Sequence, residues 1–147
     1  MKKSIQRILL ATVPLLAFLG IPSTQAQSGF RVIVHPDNPV TSISKDDLSK
    51  LFLKKTSRWD DGTVAAPVDL GRQSSVREDF TKEIHGRSLS SILSFWQRQI
   101  FSGRGSPPAE LNTEAEAVQF VKANRGAVGY VSSGTDTSGA KAISVTD

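Results

Sequence analysis

The chain has 147 residues, enough for one ordinary domain, and no cysteine, which excludes disulfides and a lipid-modified N-terminal cysteine. Its 18 Lys and Arg stand against 14 Asp and Glu, but Lys2, Lys3 and Arg7 supply three of the positive charges, so the rest of the chain carries 15 against 14. That near-neutral balance, with no aligned basic stripe, gives no sign of a nucleic-acid partner.

The N-terminus has the pattern of a secretory signal. Lys2, Lys3 and Arg7 precede an apolar run from Ile8 to Ile21, shorter than the ~20 residues that span a bilayer. Thr24 and Ala26 place small residues where a signal peptidase reads them. The expectation is a signal peptide over residues 1–26, cleaved after Ala26. Residues 27–147 then form a single α/β domain, soluble in a bacterial periplasm without a lipid anchor.

Phe30 to His35 is β-branched and apolar, and predicts a strand that Pro36-Asp37-Asn38-Pro39 ends. Ser44 is a candidate N-cap for a helix with Leu48, Leu51 and Phe52 on its buried stripe. Trp59-Asp60-Asp61-Gly62 marks a turn, and Ala66 to Leu70 a second strand. The next helix places Val76, Phe80 and Ile84 on one face, with Gly86 to close it. Leu89, Ile92, Leu93, Trp96 and Ile100 predict another, ending at Gly103. Thr113 and Glu116 form a capping box ahead of Ala117, Val118 and Val121, and Gly126 can end that helix. Ala127 to Val131 and Ala142 to Val145 read as strands. Alternating strands and helices predict an α/β sandwich of sheet and helices.

Between the second strand and its helix lies Gly71-Arg72-Gln73-Ser74-Ser75-Val76-Arg77. A helix start presents free N–H groups and the positive end of its dipole. Two hydroxyls and two guanidinium groups there suit a small oxyanion such as phosphate or sulfate. Ser75 with Glu78 also makes a capping box that needs no ligand, and both readings stand.

His35 and His85 are the only histidines, and neither has a metal-ligand neighbour at useful spacing, so no metal and no cofactor is expected. Asp79 and His85 are six apart on one helix and face different directions, which argues against a Ser74–His85–Asp79 triad and against an enzyme. Phe95 and Phe101 lie off the main stripe of their helix. With Arg98, Arg104 and Pro107-Pro108 they could form a partner surface. The reading preferred here is a wide stripe covered by the sheet.

In combination, Val32 to Pro39, Ile43 to Phe52, Arg58-Trp59-Asp60-Asp61-Gly62, Arg72-Gln73-Ser74-Ser75 and Gly126 to Val131 resemble the phosphate-binding subunit of bacterial phosphate ABC importers. The resemblance implies a type II periplasmic-binding-protein fold, in which two α/β lobes close around phosphate. The matched region corresponds to a single lobe, which implies a mixed sheet flanked by helices. It implies ligand contacts at Arg72, Ser74 and Ser75; the residues themselves add Arg77 as a candidate, supplying local positive charge. It also implies a phosphate or related oxyanion ligand and, as partners, an ABC permease, a membrane sensor or a second copy supplying the missing lobe. A lone open lobe should bind weakly. A net of about 4 kcal/mol corresponds to a Kd on the order of 1 mM. The competing class is a periplasmic interaction or sensory module that kept the lobe and lost the ligand.

Overall fold

The computed structural model describes residues 29–147; the expected signal peptide lies outside the described residues. In chain order the elements are β1 (Phe30–Val34), β2 (Ser42–Ser44), α1 (Lys45–Phe52), β3 (Ala66–Leu70), α2 (Ser75–His85), α3 (Leu89–Phe101), β4 (Ala109–Leu111), α4 (Glu114–Ala123), β5 (Ala127–Ser132) and β6 (Lys141–Thr146). They build one mixed sheet of six strands in the order β2-β6-β1-β5-β3-β4. β1 runs antiparallel to both its neighbours, with Phe30 opposite Ser132 and Ile33 opposite Ala142. β3 runs parallel to β5 and β4, and β2 parallel to β6. The expected mixed sheet flanked by helices is therefore present. Two strands were not anticipated, β2 and β4. Each is a three-residue edge strand whose sequence, Ser-Ile-Ser or Ala-Glu-Leu, has no apolar run to mark it.

Successive strand residues point to opposite faces, and both faces are covered. On one, Tyr130 of β5 and Phe30 of β1 meet Phe52 of α1 and Phe80 of α2. The Phe80 and Tyr130 rings stack at 3.8 Å between centroids and 6° between planes. Phe30 and Phe52 approach Phe80 at 5.3 and 4.8 Å. On the other face α4 lays Ala117, Val118 and Val121 against the sheet, and Gly129 makes room. A Cβ there would stand 3.1 Å from Val68 and 3.4 Å from Val121.

Helix ends follow the sequence closely at three of the four N-termini. Ser44 accepts from the Asp47 N–H, Ser88 from the Ser91 N–H, and Thr113 with Glu116 forms the full capping box. The fourth is a correction. Ser74, not Ser75, caps α2: its hydroxyl accepts from the Arg77 N–H at 3.3 Å, so the Ser75–Glu78 box does not form. Gly86 closes α2 in the left-handed conformation, φ 62°, as expected.

Gly126 has a different reason from the one its position suggested. α4 ends at Asn124 in extended backbone, and Gly126 is not left-handed. Instead, a Cβ at Gly126 would lie 1.8 Å from the Val64 carbonyl oxygen. This close approach lets the Gly126 carbonyl accept from both the Trp59 indole and the Ala66 N–H, each at 2.9 Å. Gly126→Ala is expected to push the two segments apart and break both bonds. The predicted loss is at least the 1–3 kcal/mol of a typical overpacking change. Denaturant unfolding of the variant checks it; an unchanged midpoint would show that this contact gives way without cost.

α3 also departs from expectation. Ile92 and Trp96 are buried, but the helix packs chiefly on α2 and not on the sheet. Phe95 lies edge-on to Trp96 at 5.0 Å, while Phe101 is 94% exposed. The apolar stripe is thus not covered by the sheet, because α2 already occupies that face.

His85 sits at the junction of α1 and α2, with its Nδ1 2.8 Å from the Ser49 hydroxyl. Burial, then the nearby Arg87, Arg77 and Lys55 charges, push its pKa from 6.5 down to about 4. The folded state therefore resists a proton that the unfolded chain accepts. Stability is full above about pH 6.5 and falls as pH drops toward 4, by about 3 kcal/mol in all. Comparing denaturant midpoints of wild type and His85→Gln at about pH 7 and about pH 4.5 isolates this share from that of the carboxylates. The variant should lose less stability on acidification; parallel losses would remove His85 from the account.

Candidate functional site

β3 delivers the chain to the C-terminal edge of the parallel part of the sheet, where Gly71 to Ser74 turn it into α2. The turn is fixed by the Ser74 N–H donating to the Gly71 carbonyl at 2.9 Å. Ser75 and Val76 are the first two residues of the helix, so their N–H groups have no acceptor within it. Val76 turns its side chain to the core, which leaves the helix end to backbone and hydroxyl groups. Ser74 caps through its oxygen and still has an O–H to donate.

Arg72 is exposed, two-thirds of its side chain in solvent, and its Nε lies 3.9 Å from Glu110 Oε2. A shallow pocket at this point is lined by Gly71, Arg72, Gln73, Ser74, Glu110 and Asn112. The structure therefore brings Arg72 and Ser74 together. Ser75 is exposed beside the pocket but does not line it. Glu110 and Asn112, from edge strand β4 and the residue after it, complete the rim and were not foreseen. Their only signal was the parallel pairing of Asp69 with Glu110, which a sequence does not display.

Arg77 is placed differently. One turn into α2, it points beneath the pocket and is 3% exposed. Its Nη1 donates to the Leu70 carbonyl and to Glu110 Oε2, both at 2.7 Å, and its Nη2 lies 3.5 Å from Asp69 Oδ2. Asp69 Oδ1 accepts from the Tyr130 hydroxyl at 2.8 Å, and the Tyr130 hydroxyl oxygen in turn accepts from the Leu70 N–H at 3.2 Å. Burial raises the Asp69 pKa, against the opposing pull of Arg77 and Tyr130. Burial draws the Arg77 pKa down, but Asp69 and Glu110 more than offset it, so the guanidinium stays charged. Burial also raises the Tyr130 pKa, which keeps the phenol neutral and donating. Two carboxylates thus face one buried guanidinium, and Arg77 holds the floor of the pocket.

The start of α4 opens on the same sheet edge. Its first residue, Glu114, accepts from the Ser132 N–H at 3.1 Å and its hydroxyl at 2.9 Å, and from the Thr135 hydroxyl. That carboxylate ties the end of β5 to α4 and fills this second helix start from within the chain. The remaining positive end at this edge is that of α2. Of the imagined triad, His85 bonds Ser49 and lies at the opposite end of α2 from Ser74. His35 Nδ1 accepts from the Asp37 N–H at 3.1 Å. Among the described residues no helix is long and apolar enough to cross a membrane.

No protein-family model and no curated protein sequence matches the chain. Solved structures do. An ABC-type phosphate transport receptor from Vibrio cholerae superposes with a TM-score of 0.64 at 21% identity, over 80% of this chain and 46% of the receptor. A putative phosphate ABC transporter substrate-binding protein with bound phosphate, from Clostridium perfringens, gives 0.63 at 18%, over 80% and 44%. PstS from Borrelia burgdorferi gives 0.57 at 15%, over 81% and 47%. The chain has the fold of these proteins and spans less than half the length of each.

Proposed function

We propose that this chain, built on the fold of one part of a phosphate receptor, binds phosphate or a similar oxyanion at the start of α2, without chemical turnover, in a periplasm reached through a signal peptide cleaved after Ala26. The observation that carries the reading is one open pocket lined by the exposed Arg72 and by Ser74, the cap of α2, beside a helix start whose first two N–H groups have no acceptor within the helix. Arg72 supplies the charge-assisted pair, Ser74 a hydroxyl donor, and Ser75 its backbone N–H and a hydroxyl at the margin. Arg77 acts from below, by fixing β3, β4 and α2 against one another. A helix start contributes up to ~2 kcal/mol toward an anion and each charge-assisted bond roughly 1.5 to 3 kcal/mol. Desolvation, immobilisation and the opposing Glu110 carboxylate offset much of that, leaving a millimolar affinity for the lobe alone. Tighter binding requires a second lobe, from a membrane permease, a sensor or another copy of the chain.

Calorimetric titration with phosphate and sulfate tests this. Arg72→Ala is expected to weaken phosphate binding roughly 10- to 150-fold with stability nearly unchanged, because its pair with Glu110 is long and exposed. Ser74→Ala should weaken binding and also cost about 0.5 to 2 kcal/mol of stability, since it removes the cap. A loss of stability in Ser74→Ala, with phosphate affinity untouched in both variants, would reduce the segment to a helix cap. The second reading, an interaction module without ligand, is favoured by one observation. Glu110 stands beside Arg72 and also neutralises Arg77, so the pocket carries little net positive charge.

A further inference from the structure

α3 carries a second chemically distinct surface, none of whose residues lines the pocket at the start of α2. Between Glu83 and Glu110 the sequence has no carboxylate, but it has three arginines, Arg87, Arg98 and Arg104. None of the three forms an ion pair among the described residues. Arg87, Ser90, Ser91, Ser94 and Arg98 line one open groove. Spacing puts Ser90, Ser91, Ser94 and Arg98 on a single face of α3, and Arg87, just before the Ser88 cap, closes the groove at its other end. One turn beyond Arg98, Phe101 is 94% exposed, and Ile100 beside it is 56% exposed. The loop that follows is met by another cation, Lys54, whose Nζ donates to the Pro107 carbonyl at 3.2 Å.

An isolated exposed apolar residue needs no explanation, but here Phe101 shares the helix face of the uncompensated cation Arg98, with Ile100 exposed beside it at the helix end. The charge calls for an anionic partner. The shape decides which kind. The apolar part is two side chains at a helix end, far short of the roughly 800 Å² per partner of a stable protein interface. A lipid headgroup layer admits such a wedge without matching its contour, and it offers phosphates that guanidinium and hydroxyl groups both recognise. We propose that α3 docks this protein on an anionic lipid surface, with Phe101 and Ile100 entering the headgroup boundary and Arg87, Arg98 and Arg104 facing lipid phosphates. The proposal does not depend on the anion pocket.

The test uses the chain as recovered from producing cells, with vesicles of phosphatidylglycerol mixed with phosphatidylcholine, and of phosphatidylcholine alone. Phe101→Trp places a reporter at the helix end. Its emission, taken as a difference from wild type, should shift to the blue with the anionic vesicles and not with the neutral ones, and the shift should fade with added salt. Arg98→Gln combined with Arg104→Gln should lower partitioning onto the anionic vesicles by roughly 30-fold, about fivefold for each charge. All three positions are exposed, so circular dichroism should remain that of wild type. An emission unmoved by phosphatidylglycerol overturns the proposal, whatever the rest of the chain does. So does a double variant that partitions like wild type. Binding to soluble polyglutamate without binding to vesicles would overturn it too, in favour of an acidic protein.

Discussion

Asp69→Ala is expected to destabilise the protein by about 3–5 kcal/mol, the range found when one member of a buried ion pair is removed. The Arg77 guanidinium would stay buried, facing only the partly exposed Glu110, and the Tyr130 hydroxyl would lose its acceptor. Against a domain stability of about 5–15 kcal/mol this brings the variant near unfolding. The companion experiment keeps the prediction open to failure if the single variant does not fold. Asp69→Leu with Arg77→Met replaces the charges by apolar groups of similar size, and should recover most of the loss. Denaturant unfolding of both measures it. A single variant within about 0.5 kcal/mol of wild type would mean that the pair is solvated and Arg77 free to serve the pocket.

Phe80→Ala should cost a similar amount, about 3–5 kcal/mol. Its ring is fully buried, stacked on Tyr130 and edged by Phe30. It is the point at which α2 is fastened to both β1 and β5. Phe80→Leu keeps most of the volume and should lose less than about 1.5 kcal/mol. If the alanine variant unfolds no earlier than the leucine variant, ring packing is not what anchors the helix. If the pocket at the start of α2 binds phosphate as proposed, a loosened helix should also weaken that binding where Phe80→Leu does not.

The elements that local chemistry marks were readable before any coordinates. β1, β3 and β5 are apolar or β-branched runs, and each helix has a Ser or Thr cap and an apolar stripe. What escaped depends on distant residues. β2 and β4 are strands only because β6 and β3 lie beside them. Gly126 looked like a helix terminator, yet it serves a crossing of two backbone segments that are remote in sequence. At the candidate site, the strand–turn–helix pattern was enough to place Arg72 and Ser74 beside one another. Arg77 was not, because its direction is set by Asp69 and by Glu110 thirty-three positions away. An aspartate within the otherwise apolar Ala66–Leu70 was the available hint: a buried carboxylate implies a buried cation nearby.

The placement of β1 between β5 and β6 bears on how the molecule reaches its native state. The first strand of the domain lies at the centre of the sheet, and both its neighbours come from the far end of the chain. Pairings of such wide sequence separation make a high contact order, which slows folding relative to a helical bundle of equal size. Capped helices can flicker into existence early, but the sheet has no middle until residues beyond Ala127 are present. A nascent or truncated chain that stops short of β5 keeps Phe30 to Val34 as an unpaired apolar strand. Until β5 and β6 are present, that strand is open to pairing with another chain.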